Sequence, residues 1–175
     1  MQKTNTSRLV MMGLLMAMEI ILTRFLSINT PILRLGFGFL PISILGILYG
    51  PLWAGLTYAL GDILGANLFP TGDFFPGFTL SAFLTGMVFG SILYGHEVTW
   101  KRSFLASAIV VLFIDLCLNT YWLSILMGKG FIVLLPTRIM KVAFSIPAET
   151  ILIKLVWDKA FVKTHLSTRL KATTD

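Results

Sequence analysis

The sequence has few charged residues and a single cysteine. Of its 175 residues, 13% are charged and 56% are hydrophobic, and the mean hydropathy is +0.86. A soluble domain usually carries about 25% charged residues, so this composition argues against an ordinary water-soluble fold. Cys117, the one cysteine, lies in an apolar run. An intramolecular disulfide is therefore excluded, and a thiolate metal site would lack partners.

The sequence also lacks the motifs of common enzymes. There is no G-x-x-x-x-G-K-[ST] phosphate loop, because Gly128-Lys129 has neither the upstream glycine nor the following Ser or Thr. No G-x-S-x-G elbow is present, and neither His96 nor His165 belongs to an H-E-x-x-H zinc pattern. We therefore expect this chain to need no metal or cofactor and to be no enzyme.

Apolar stretches of about 20 residues recur along the whole chain, and that length is typical of membrane-spanning helices. Six spans are predicted, at about 9–26, 35–49, 51–69, 76–94, 104–127 and 134–157. The pattern predicts an all-α fold, an integral membrane bundle of six transmembrane helices. We expect a single domain over residues 1–175, with a short basic tail at about 158–175.

The distribution of basic residues predicts the orientation of the bundle. If the N-terminus defines side A, nine of the 14 Lys and Arg residues fall on that side and five on side B. Cytoplasmic loops carry the excess of positive charge, so both termini are predicted in the cytoplasm. The basic tail then serves topology and contact with anionic membrane lipid, and no nucleic-acid role is expected. The side A residues are Lys3, Arg8, Lys101, Arg102, Lys154, Lys159, Lys163, Arg169 and Lys171.

Four cations near the outer ends of the predicted spans work against this rule. They are Arg24, Arg34, Arg138 and Lys141. Each one taken alone could extend its charged head to the membrane interface. Together they could instead form an electropositive mouth for an anionic ligand.

Polar residues at membrane depth fall on helix faces. Asp115, Asn119 and Trp122 follow i, i+4, i+7 in the fifth span, and Arg138, Lys141, Ser145 and Glu149 share a face of the sixth. These residues could clamp the bundle through interhelical hydrogen bonds. Alternatively they line a polar pocket open to the outside, because ligand sites combine apolar walls with a few fixed polar groups. The candidate walls are Phe37, Phe39, Phe74, Phe75, Tyr121 and Trp122.

Small residues four apart mark a close-packing helix face in the first span. Gly13 and Ala17 have this spacing, as do Ala82, Gly86 and Gly90 in the fourth. Such faces let helix backbones approach closely. Packing inside the bundle explains them, but Gly13 and Ala17, near the cytoplasmic end, could also dock another membrane subunit.

Four stretches resemble the folate-specific S component of energy-coupling factor (ECF) vitamin transporters. They are "RLGFGFLPI" (34–42), "FFPGFTLSAFLTGMVFG" (74–90), "LNTYWLSILMG" (118–128) and "LPTRIMK" (135–141). The resemblance covers nearly the whole chain. One departure is Gly13, where the family's first-span signature usually reads Ala-x-x-x-Ala.

The resemblance implies a set of partners and a location. S components associate with a transmembrane coupling protein and two ABC-type ATPases, which use the ATP. The S component is described as toppling in the bilayer to carry its vitamin inward. The resemblance places this chain in the cell membrane of a Gram-positive bacterium as a multi-pass protein.

The residues suit the chemistry of folate. The carboxylates of its glutamate tail would meet Arg34, Arg138 and Lys141, and the aromatic walls would stack on its flat rings. A carboxylate can accept from the donor array of the pterin edge, with Asp62 as first choice and Asp73 and Asn119 behind it. Gly36 and Gly38 would let the first outer loop open and close. The alternatives are an S component for another vitamin or precursor, such as pantothenate or a thiamin precursor, and a membrane scaffold protein.

Overall fold

The computed structural model describes residues 2–29, 34–70, 74–128 and 130–159, with side chains described from residue 6 onward and not at 28, 29, 34 and 35. Within these residues the chain forms six helices and one pair of two-residue strands. The elements are α1 (Gln2–Arg24), β1 (Ile28–Asn29), β2 (Arg34–Leu35), α2 (Phe39–Tyr49), α3 (Pro51–Leu68), α4 (Pro76–Leu93), α5 (Trp100–Met127) and α6 (Phe131–Lys159). The strands pair antiparallel, with Ile28 opposite Leu35. The all-helical class predicted from the sequence is therefore confirmed, and the predicted tail lies outside the described residues.

The second helix begins later than its apolar run suggested. The prediction started it at about residue 35, but Leu35 is in β2 and α2 starts at Phe39. The reason lies in Pro41, which has no backbone N–H to give to a helix interior. With the observed start, Pro41 falls in the first turn, where N–H groups have no intrahelical partner in any case.

Contacts between helix ends define the two sides of the bundle. On side B, Arg24 forms an ion pair with Asp62, and Phe25 meets Phe69 with ring centroids 5.0 Å apart. On side A, the Arg8 guanidinium lies over the Tyr49 ring at 6.0 Å, which joins the start of α1 to the end of α2. Helices α1 and α3 therefore run from side A to side B, and α2 runs back between them.

Glycines allow the backbones of α2, α3 and α4 to touch. A Cβ placed on Gly90 would lie 2.3 Å from the Cα of Pro51, and one on Gly86 would lie 2.5 Å from the carbonyl carbon of Ala54. A Cβ on Gly46 would lie 2.9 Å from the backbone nitrogen of Gly90. The small-residue spacing of the fourth span thus serves packing within the chain.

Three helices in the described parts of the chain are long and apolar enough to cross a membrane. They are Thr6–Arg24, Pro76–Leu93 and Trp100–Met127, whereas α2 (Phe39–Tyr49) is apolar but shorter. Helix α6 carries Arg138, Lys141 and Glu149, which lower its hydropathy, yet Arg138 and Glu149 are buried inside the bundle. Large apolar side chains, such as Ile132 and Phe144, are among those that it exposes.

Candidate ligand-binding site

Asp115 is the centre of a polar cluster between α5 and α6. Its Oδ2 accepts from Lys141 Nζ at 2.5 Å, and its Oδ1 accepts from Asn119 Nδ2 at 2.8 Å. All three side chains are at least partly buried. The cluster brings together two predicted site residues, Asn119 and Lys141, which lie on different helices.

The backbone around Asp115 departs from α-helical geometry. From Val110 to Asn119, α5 is π-helical, so that each N–H bonds to a carbonyl five residues back. The hydroxyl of Thr120 also reaches back to the Asp115 carbonyl at 3.4 Å. Such segments are rare and often occur at functional sites. The observed geometry places Asp115 and Asn119 where their side chains bond to each other.

Three atoms in or near this cluster are buried without a hydrogen-bond partner among the described residues. They are Arg138 Nε, Asn119 Oδ1 and Glu149 Oε2. The Arg138 side chain belongs to a residue only 7% exposed, and Asp115 is close enough to attract it electrostatically. A buried polar group left without a partner costs about 1–3 kcal/mol. An arginine N–H and an amide oxygen in this state indicate a place where a polar ligand or water binds.

Asp62 belongs to a second polar cluster, formed by α1, α3 and α4. Its Oδ2 accepts from Thr79 Oγ1 at 2.8 Å, and its Oδ1 lies 3.7 Å from Arg24 Nη2. The absence of a side chain at Gly65 makes room for Arg24, since a Cβ there would lie 3.0 Å from Arg24 Nε. Arg24 therefore points into the bundle, and the Asp62 carboxylate already has a cation and a hydroxyl donor.

Trp122 is the centre of an aromatic group at the side B end of α4 and α5. Its ring centroid lies 5.6 Å from that of Phe75 and 5.1 Å from that of Tyr121. The indole Nε1 donates to Ser81 Oγ at 3.2 Å, which fixes the ring against α4. A Cβ on Gly77 would lie only 2.5 Å from Trp122 Cδ2. Three of the predicted walls thus form one aromatic surface.

The other predicted walls do not join this aromatic group in the same way. Phe39 is partly buried and packs against the hydrophobic core around Ile42 and Phe89. Phe37 and Phe74 are exposed, at 45% and 49%. Among the remaining predicted ligand residues, Arg34 lies in β2 and Asp73 lies outside the described residues.

The predicted docking pair lies on an open part of α1. A Cβ added to Gly13 would meet nothing within 4 Å, and Ala17 is exposed. The neighbouring exposed residues of α1 are apolar, and they include Leu14 and Met18. Nothing among the described residues packs over Gly13.

Two groups at the site were not among the predicted ligand residues. The sequence places Asp115 on the Asn119 face, either as a clamp of the bundle or as part of a polar pocket, and the four-residue spacing is the signal that points to it. Ser81, the acceptor for Trp122, lies 41 residues away in the chain. No local pattern indicates that contact.

A family model for the substrate-specific component of ECF transporters matches residues 7–157 of this chain. The chain belongs to that family. As an ECF substrate-specific component it is part of a transporter and not an enzyme, and the resemblance seen in the sequence is confirmed.

Individual ECF components are similar to this chain in sequence and in structure. The folate transporter FolT of Clostridium novyi is 45% identical over 157 residues, which cover 90% of each chain. The folate transporter FolT of Leuconostoc mesenteroides is 30% identical over 153 residues, which cover 84% of this chain and 82% of its own. The crystal structure of FolT bound with folic acid superposes with a TM-score of 0.83 at 35% identity, covering 86% of this chain and 92% of that one.

Proposed function

We propose that this chain is the folate-binding substrate-specific component of an ECF transporter. The observation that carries the proposal is its similarity to the FolT structure bound with folic acid, which extends over 92% of that chain. The polar cluster of Asp115 and the aromatic group of Trp122 supply the chemistry that such a ligand requires. Folate is an anion with flat rings, so it needs cations, stacking surfaces and hydrogen-bonding groups.

The cations receive the glutamate tail of folate. Arg138 has a buried Nε without a partner among the described residues, and a guanidinium binds a carboxylate through parallel hydrogen bonds. Lys141 lies one turn further along α6 and contributes a second positive charge. Arg34, in the first outer loop, is the third cation in this proposal.

The pterin ring needs hydrogen-bond acceptors for its N–H groups. Asp62 would have to exchange the donors that it already holds, Thr79 and Arg24. Asn119 Oδ1 is buried and has no partner among the described residues, so it is the acceptor best prepared for a ligand. We therefore place Asn119 ahead of Asp62 and Asp73.

The rings of folate stack on the aromatic group. Trp122, Tyr121 and Phe75 form its fixed part, and the exposed rings of Phe37 and Phe74 are available to close over a ligand. Phe39, which packs against the hydrophobic core, is the remaining candidate wall. Gly36 has ordinary contacts and can serve as the hinge of the outer loop.

Gly38 has a packing role at the start of α2. A Cβ there would lie only 2.1 Å from Thr23 Oγ1. A side chain at this position would therefore have to displace the Thr23 hydroxyl of α1.

Transport requires a membrane, an orientation and partners. The chain spans the cell membrane with six helices and both termini in the cytoplasm, which the excess of basic residues on side A supports. Its relatives suggest a Gram-positive bacterium. Gly13 and Ala17 dock on a transmembrane coupling protein, which works with two ABC-type ATPases that consume the ATP. Docking and toppling in the bilayer deliver the vitamin to the cytoplasm, and the chain itself needs no cofactor.

A ligand titration tests the proposal. Protein purified in detergent is titrated with folic acid, pantothenate and thiamin, and binding is followed by tryptophan fluorescence and calorimetry. We expect folic acid to bind and the other two vitamins not to. Arg138→Gln should weaken folic acid binding by about 10- to 100-fold, the value of a hydrogen bond to a charged group.

The matched control removes a lysine elsewhere on α6. Lys154 forms an exposed ion pair with Asp158 at 2.7 Å, so Lys154→Gln should leave folic acid binding unchanged. Binding of pantothenate or thiamin in place of folic acid would indicate an S component for another vitamin. If none of the three bound, the scaffold alternative would replace the transport proposal.

A further inference from the structure

Asp115 has an unusual position for a carboxylate in an apolar bundle. One of its oxygens accepts from the Asn119 amide and the other from the Lys141 ammonium. Arg138, Lys141 and Glu149 follow one another along the facing stripe of α6. An aspartate therefore stands opposite two cations that are three residues apart, and it reduces the repulsion between them.

The carboxylate determines which way the Asn119 amide points. An ionised aspartate only accepts hydrogen bonds, so the atom of Asn119 that faces it must be the NH₂ group. The amide oxygen then points away from Asp115. That oxygen is buried and has no partner among the described residues.

We propose that Asp115 is a positioning residue that makes the site selective for ligands with an N–H donor on the ring edge. The proposal rests on the folate function proposed above and adds a reason for its specificity. Asp115 need not touch the ligand. It turns the Asn119 oxygen toward the ligand and, through Lys141, holds one of the cations in place. The ligand class is the 2-amino-4-oxo pterins, whose amino group and ring N–H can donate to that oxygen.

Replacing Asp115 with asparagine should reverse the Asn119 amide. Lys141 only donates, so the oxygen of the new side chain must face Lys141 and its NH₂ must face Asn119. Asn119 would then turn its own oxygen toward residue 115 and its NH₂ toward the ligand. The site would present a donor where it formerly presented an acceptor.

The experiment compares two ligands on two proteins. Folic acid and an analogue with hydrogen in place of the 2-amino group are titrated against the wild-type chain and against Asp115→Asn. We expect the wild type to prefer folic acid by about tenfold or more, because a hydrogen-bonding site rejects an analogue that lacks the group. In Asp115→Asn that preference should fall to about one or reverse.

Two further variants make the result decisive. Asp158→Asn removes a carboxylate of the same kind from an exposed pair with Lys154, and it should keep the wild-type preference. Asn119→Ala removes the oxygen while leaving the Asp115–Lys141 pair in place. It should also lose the preference, and a retained preference in Asn119→Ala would overturn the inference even if Asp115→Asn does not fold.

The contrary outcomes separate this inference from the proposed function. If Asp115 had only a structural role, Asp115→Asn would weaken the binding of both ligands by the same factor. An unchanged preference in the folded variant would overturn this inference but not the proposed function. Wild-type protein that binds folic acid no more tightly than the analogue would do the same. Wild-type protein that binds neither would overturn the folate function itself.

Discussion

At Gly77, the addition of a single methyl group should disturb the aromatic group. A Cβ there would lie 2.5 Å from Trp122 Cδ2 and 2.6 Å from Phe75 Cε1. Both neighbours are rigid rings, so Gly77→Ala must displace one of them. Overpacking of this kind costs about 1–3 kcal/mol, and we expect folic acid affinity to fall by about tenfold. Calorimetric titration measures the loss.

The control for this prediction is the same substitution in open space. A Cβ at Gly13 would meet nothing within 4 Å of the chain, so Gly13→Ala should bind folic acid as the wild type does. The contribution of Trp122 to the fluorescence emission spectrum is found by comparing each protein with its Trp122→Phe variant. That contribution should shift in Gly77→Ala and not in Gly13→Ala. Wild-type affinity in Gly77→Ala would show that the Trp122 ring is not part of the ligand site.

Side-chain partners could be predicted only where they lie close in the chain. The spacing of Asp115 and Asn119 placed them on one face, and the structure joins them by a 2.8 Å hydrogen bond. The contact of Trp122 with Ser81 links two helices and depends on how α4 and α5 pack. Hydrophobic periodicity describes one helix at a time, so it does not predict which residues of two neighbouring helices contact each other.

At the scale of elements, the contact between α4 and the α2–α3 turn should be the part of the bundle least tolerant of added atoms. A Cβ on Gly90 would lie 2.3 Å from Pro51 Cα and 2.4 Å from its nitrogen, and backbone atoms cannot rotate away. We expect Gly90→Ala to separate the helices and to lower the free energy of unfolding by about 1–3 kcal/mol or more. Thermal unfolding in detergent measures it.

A matched alanine tests whether the effect is local. At Gly130 the nearest atom to an added Cβ is Val133 Cγ2, at an ordinary 3.9 Å, so Gly130→Ala should unfold like the wild type. Alanine is also the better helix former, which should favour Gly90→Ala by about 1 kcal/mol if packing did not matter. An unfolding temperature of Gly90→Ala at or above that of the wild type would therefore contradict the observed contact.

Helix existence could be predicted from the sequence more securely than helix ends. Apolar runs of sufficient length located all six helices, because burial and lipid exposure both require apolar side chains. The start of α2 was placed about four residues too early because Leu35 is as apolar as the helix that follows it. Two features keep Leu35 out of the helix: Pro41, which belongs in the first turn of α2, and the pairing of Leu35 with Ile28 across a loop.

At the scale of the whole molecule, large apolar side chains cover the outer surface as well as the core, while several charged side chains are buried. Glu149 and Arg138 are buried, whereas Leu9, Val10 and Phe113 are more than 60% exposed. A water-soluble protein would hide the apolar side chains and expose the charges. The arrangement suits a bundle surrounded by lipid, in which apolar side chains face the lipid and charged groups are held between the helices.

The exposed face of α1 that holds Gly13 and Ala17 leads to a prediction about the assembled transporter. Gly13 and Ala17 lie in the middle of α1 (Gln2–Arg24) rather than near its side A end, and the backbone at Gly13 is open to close approach by another helix. Gly13→Leu would fill that space, and its Cβ would meet no atom of this chain within 4 Å. We expect folic acid binding to the isolated protein to be unchanged and folic acid uptake by the complete transporter to fall by about tenfold or more.

The matched control adds a leucine to another outward face. Ala143 is exposed on α6, so Ala143→Leu makes a similar change in bulk away from α1. It should preserve both binding and uptake, measured with radiolabelled folic acid in cells that express the coupling protein and the ATPases. If docking occurs through α1 and the ligand binds at the proposed clusters of Asp115 and Trp122, the two readouts should separate, because those clusters lie on α4, α5 and α6. Normal uptake by Gly13→Leu would assign docking to a different helix, and loss of uptake by Ala143→Leu alone would point to α6.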